Sequence, residues 1–128
     1  MKKILTEISV GELVDKLTIL EIKLEKITNK ESLNTLKKEY QSLNDVDLSG
    51  INKGQYKVLF DELKSINRKL WDIENQKRLC EKNSDFGEKF IQVSRNVHFM
   101  NDKRAEIKSK INKTFDSNIQ EVKEYTKY

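Results

Sequence analysis

The chain has no proline, four glycines, one cysteine and one histidine in 128 residues, and each shortage excludes something. Sandwiches and barrels need turn chemistry at every strand end, and so few Gly and Pro cannot supply it. Cys80 alone cannot form an intramolecular disulfide, and His98 alone cannot build a metal centre. A reducing, cytoplasmic setting is the simplest expectation. No uncharged apolar run approaches the ~20 residues of a membrane span. Met1 to Leu5 opens like a signal peptide, but Glu7, Glu12 and Asp15 intervene before an apolar core of about 7–15 residues can form. Gly-rich phosphate loops, nucleophile elbows and metal-spaced His/Cys/Glu sets are also missing, so no catalytic residue, cofactor or metal is expected.

Charge of one sign is scarce as well. Lys plus Arg number 25 against 21 Asp plus Glu, a net +4, and only residues 86–128 lean basic, with nine basic residues to six acidic. Nucleic-acid binders concentrate positive charge on one face or tail, and Arg rather than Lys suits phosphate forks and base reading. Only four of the bases are Arg, so nucleic acid is not an expected partner.

What the chain has in quantity is charge and helical periodicity. Charged and hydrophobic residues each make up 36%. Val10, Leu13, Leu17, Leu20, Leu24 and Ile27 recur at spacings of three and four, one stripe of a helix over about 10–28, with Ser9 and Glu12 forming a capping box. Val14, Ile19 and Ile22 lie off that stripe, which predicts a helix in the middle of a bundle. Leu33, Leu36, Tyr40 and Leu43 mark a second helix over 31–44, and the turn formers of 44–54 predict a loop. Tyr56, Leu59, Leu63, Ile66, Leu70, Ile73 and Cys80 share a seam over 55–82, with Lys77 in the remaining position between Glu74 and Glu81. Phe90, Val93, Val97, Met100, Ile107 and Ile111 do the same over 86–115, with Asp85 and Glu88 read as a second capping box. Ile119, Val122 and Tyr125 suggest a short terminal helix over 118–126. The expected fold is all-α: one domain, 1–128, an elongated antiparallel bundle of about four helices with a long hairpin of helices three and four.

Polar residues that break the apolar register carry the functional expectations. Arg104 occupies a seam position, with Asn101 and Lys108 one turn to either side. A guanidinium facing a core must be neutralised. Hairpin register puts it opposite Asn67, so a structural partner would come from Asp15, Glu21 or Glu25 of helix one. Alternatively Arg95, Asn101, Arg104 and Lys108 form a site for a carboxylate or phosphate ligand. Helix one mixes Asp15, Thr18 and Glu25 with Ile22 on one face, while Lys16, Glu21 and Lys23 flank its seam as charges do across coiled coils. That pattern predicts an interaction face of Asp15, Lys16, Thr18, Glu21 and Glu25, met by a partner helix of this chain, by a second copy in a homodimer, or by another protein. Trp71 and Phe99 lie off the seams as second-layer packing. An oligomerising or partner-binding module is the first functional reading. The alternative is a small all-α enzyme or binder of an anionic metabolite, similar in architecture to chorismate-mutase bundles.

The run SVGELVDKLTILEIKLEKI over residues 9–27 resembles the opening of a family of small, all-helical bacterial proteins of unknown function. LWDIE at 70–74, DFG at 85–87, FI at 90–91, RNV at 95–97, NDKR at 101–104, IK at 107–108 and IN at 111–112 are similar to that family's second half. The resemblance brings no reaction or substrate. It implies that the family tends to keep Glu12, Asp15, Lys16, Thr18, Glu21, Lys23, Trp71, Glu74, Glu81, Arg95, Asn101, Asp102, Arg104, Lys108 and Asn112, many of them polar residues on helices, which points to a site between helices one and four.

Overall fold

The computed structural model describes residues 2–128. Four helices follow in order: α1 Val10–Lys26, α2 Lys30–Asn44, α3 Lys53–Lys82 and α4 Glu88–Thr114. There is no strand among the described residues, and the architecture is an all-α bundle. Short polar side chains start the first three helices. Ser9, Asn29 and Asn52 each accept a hydrogen bond from the backbone N–H three residues on, relieving amides that have no carbonyl partner within the helix.

α4 starts differently from the capping box expected of Asp85 and Glu88. Gly87 is its N-cap with no side-chain bond to the helix, and the Asp85 carboxylate instead accepts the Gly87 N–H at 3.3 Å. The reason lies in the end of α3. Ser84 takes a positive φ of 52°, its N–H bonds to the Glu81 carbonyl, and the Asp85 N–H reaches back to the Cys80 carbonyl at 2.8 Å. This is a Schellman closure, and it commits Asp85 to ending one helix before the next begins.

α4 closes in the same way at Asp116, φ 49°, with the Ser117 N–H on the Asn112 carbonyl at 2.8 Å. Residues 118–126, expected as a short helix, are not helical. The Ser117 hydroxyl donates to the Ile119 carbonyl and draws the chain out of the turn. Val122 and Tyr125 are exposed, so no apolar stripe meets the bundle to support a helix. The segment lies along α4 instead: Glu121 pairs with Lys108 at 3.0 Å, and the Tyr128 ring rests on His98 and Phe99 while its hydroxyl donates to Asp102.

α3 and α4 form the expected long antiparallel hairpin. α1 packs on all three other helices, whereas α2 packs on α1 alone. Val14 joins Leu59, Leu63, Ile66, Leu70, Ile107 and Ile111 in the core. α1 meets α4 through Gly11 with Asn112, Glu12 with Lys108 and Asp15 with Arg104, so the two run antiparallel. At 1.5 Å per residue α1 is about 25 Å long, against about 45 Å for α3 and 40 Å for α4. Every polar contact from α1 to the hairpin falls no higher than residue 68 on α3 and no lower than residue 104 on α4, and its Ile19 and Ile22 line a groove with Leu70, Trp71 and Asn101. Beyond that level the hairpin stands as two helices. Among residues 71–100 only Cys80 and Val93 are buried.

Candidate functional site

Three helices meet at Asp15, which is 2% exposed. Arg104 of α4 grips it with two bonds, Nε to Oδ1 at 3.0 Å and Nη2 to Oδ2 at 2.5 Å. Asn67 of α3 donates Nδ2 to Oδ1 at 2.9 Å and also to the hydroxyl of Thr18, which itself donates to the Asp15 carbonyl. Lys108 stands 3.9 Å from Oδ2 and reaches Glu12 at 2.9 Å and Glu121 at 3.0 Å. Burial acts to raise the Asp15 pKa, but the Arg104 and Asn67 hydrogen bonds and the charges of Arg104 and Lys108 outweigh it and hold the carboxyl below the usual range. Lys108 is the mirror case. Burial acts to lower its pKa, and Glu12, Glu121 and Asp15 raise it above the ordinary lysine value.

The cluster is seated by the docking of α1 onto the last turns of α4. The Val10 N–H donates to the Ser117 hydroxyl, the Gly11 N–H to the Asn112 side-chain oxygen at 2.7 Å and the Glu12 N–H to Ser9, so each amide of the first turn has an acceptor. Gly11 makes this approach feasible. A Cβ there would stand 2.6 Å from the Lys108 carbonyl oxygen and 2.9 Å from Asn112 Oδ1. Gly11, Asn67, Ser117 and Glu121 were not among the expected site residues, whereas Asn112 stood among the positions that the family resemblance picks out. Asn67 had a usable signal, since hairpin register already sets it opposite Arg104.

The expected helix-one face is divided. Asp15 and Thr18 lie inside the molecule, at 2% and 0% exposure. Glu21 pairs with Lys64 at 2.9 Å and accepts from the Tyr40 hydroxyl, and Glu25 pairs with Lys64 and Arg68. Lys16, 3.8 Å from Glu12, and Glu25 are the exposed members of that face. Of the four expected anion ligands, Asn101, Arg104 and Lys108 share one side of α4. Arg95 does not join them and stacks over the Phe99 ring at 5.5 Å.

The polar side of α4 does not stop where α1 ends. Phe90, Ser94, Val97, Asn101, Arg104, Lys108 and Asn112 follow one another at spacings of three and four, and the last three meet α1. On α3 the matching line is Asn67, Trp71, Glu74, Arg78 and Glu81, with only Asn67 bonded to α1. A groove of about 450 Å³ lies between α1 and the upper hairpin, lined by Ile19 and Ile22 of α1, Leu70, Trp71, Glu74 and Arg78 of α3, and Asn101 and Arg104 of α4. Among the described residues, neither Glu74 nor Arg78 makes an ion pair within 4 Å, and Lys77, flanked by Glu74 and Glu81, makes none either.

No helix is long and apolar enough to cross a membrane among the described residues. Residues 3–128 match the family of unknown function DUF6165, and the chain belongs to that family. No curated protein and no solved structure matches it.

Proposed function

We propose that this member of a family without an assigned activity is a partner-binding module that receives a helix on the face of the α3–α4 hairpin beyond α1. One observation carries the reading: the two side-chain lines that seat α1 continue past it, and there they have no helix over them. A groove between two helices, part apolar and part charged, suits an amphipathic helix laid along it. Half-buried Ile19 and Trp71 offer apolar contact, while Glu74, Arg78 and Asn101 offer polar anchors whose bonding capacity is not used within the chain. Trp71, Glu74, Glu81 and Asn101, which the family resemblance picks out, fall on these same two lines.

An anionic metabolite draws less support. The charge of Arg104 is met by Asp15 and that of Lys108 by Glu12 and Glu121, so neither cation is free to bind a ligand without breaking the junction. Cytoplasmic residence belongs to the proposal, since the buried thiol of Cys80 is free.

Photo-crosslinking tests the reading. A photoreactive residue at Glu81, on the open line of α3, should yield a defined protein adduct in extract of the source cells. The same probe at Gln76, on the other side of α3, should not. Equal products from both positions, or none from Glu81, would overturn it.

A further inference from the structure

We propose that the helix received on this face is supplied by a second copy of the chain, with the two hairpins packed face to face and antiparallel about a two-fold axis. The inference rests on the partner-binding reading and names its partner. A two-fold interface must be self-complementary, so that residue i meets residue j while j meets i. Glu74 and Arg78 meet that demand: they are opposite in charge, one helical turn apart, on the same line of α3, and without ion-pair partners in their own chain among the described residues. Antiparallel apposition of the two α3 helices, centred between residues 74 and 78, sets each Glu74 against the other copy's Arg78. The pairing occurs twice.

α4 supports the same centre independently. Midway between 74 and 78 is position 76 on α3, and the hairpin register, read from Asn67 and Arg104 meeting on one Asp15 oxygen, places about residue 95 of α4 at that level. Phe90 with Asn101, and Ser94 with Val97, are symmetric about 95.5 on the open line of α4. The crossing point thus falls at the half-buried Val97 and at Ser94, whose hydroxyl is enclosed within its own chain and so adds no bulk between the helices, and each Phe90 reaches toward the other copy's Asn101. On α3, Trp71 and Glu81 are symmetric about 76 as well.

Charge and length also permit it. Between residues 74 and 95 there are five bases (Lys77, Arg78, Lys82, Lys89, Arg95) and four acids (Glu74, Glu81, Asp85, Glu88), a net +1, so no single-sign field repels a second copy. α1 makes its polar contacts to α3 no higher than Arg68, so the Glu74–Arg78 pairs fall beyond them, and the α1 side chains Ile19 and Ile22 beside Trp71 bound the pairing at each end. The product is a four-helix bundle built from two hairpins, an arrangement that buries the faces a lone hairpin leaves wet.

Charge reversal tests it, read by native mass spectrometry and sedimentation at matched concentrations. The wild-type chain should be dimeric at micromolar concentration. Glu74→Arg or Arg78→Glu alone sets like charges opposite each other in both halves of the interface and should weaken the dimer by about tenfold or more. The double variant Glu74→Arg/Arg78→Glu should regain wild-type affinity, because the pairs re-form with signs exchanged. Helical circular dichroism of each variant checks that the fold persists. A wild-type monomer at high-micromolar concentration, or single reversals that leave the dimer unchanged, would overturn the self-pairing. A crosslink from Glu81 to a different protein, with a monomeric wild type, would overturn self-pairing while leaving the partner-binding reading in place.

Discussion

Asp15 is the buried carboxylate on which three helices converge. It is buried, accepts from two helices other than its own and lies between two cations. Removing one member of such a set leaves the others without compensation, so Asp15→Asn should lower stability at neutral pH by about 3 kcal/mol, the lower end of the range for buried pairs because Arg104 keeps some solvent contact. Its pH dependence follows from the lowered carboxyl pKa. The contribution is complete above the unfolded value of about 3.9 and disappears as pH falls through the folded value, which lies lower. Chemical denaturation across pH should therefore show a constant gap between wild type and Asp15→Asn from neutral down to about pH 4, closing below it. Gly11→Ala sets a helix-propensity gain of about 1 kcal/mol against a collision with a backbone carbonyl that cannot rotate away. The collision should dominate, with a net loss of about 1–3 kcal/mol in the same assay. Part of this residue-scale detail was legible in the sequence. A guanidinium at a seam position demanded a carboxylate, and helix one offered Asp15, Glu21 and Glu25. Choosing among them required the height at which α1 crosses the hairpin, which periodicity does not encode. The seating of Gly11 on Asn112 was illegible for the same reason: it depends on where the last turn of α4 meets the first turn of α1.

Among the elements, α2 and α3 sit at opposite ends of the stability range. α2 has no buried residue, packs on α1 alone and is held to it by half-buried Leu33, Leu36 and Leu43 and the Tyr40–Glu21 bond. α3 contributes Leu59, Leu63, Ile66 and Leu70 to the core. Local opening costs least where little apolar area is buried, so amides of α2 should exchange orders of magnitude faster than those around Leu63. Native-state hydrogen exchange resolved by peptide would show it, and equal protection of α2 and central α3 would contradict it. The four helices were legible because long amphipathic repeats impose their own period on the sequence. Their ends were less so. Asp85 and Glu88 have capping-box spacing, but Asp85 is committed to closing α3, a competition between two elements that a local pattern does not reveal. The terminal segment fails differently. Ile119, Val122 and Tyr125 have helical spacing with no surface to bury against, and Lys108 with the His98–Phe99 pair holds the chain extended along α4 instead.

Seen whole, the molecule is a long hairpin with a short helix over its lower half. The junction around Asp15 fixes that short helix in place, and above it the same two lines of side chains present Trp71, Glu74, Arg78, Val97 and Asn101 to solvent. The mixed polar character of helix one was visible in the sequence and pointed to a partner helix, from this chain or from a second copy. In the fold most of that polarity is turned inward to Asn67, Lys64 and Arg104, and the open surface belongs to the hairpin. Trp71 is the only tryptophan in the chain and stands half-buried on that surface. Its fluorescence across a dilution series is the most direct test of the central claim. On going from nanomolar to high-micromolar protein, self-pairing predicts emission that moves to the blue and becomes harder to quench with iodide, with Glu74→Arg staying red throughout. Emission and quenching that do not change with concentration would contradict it.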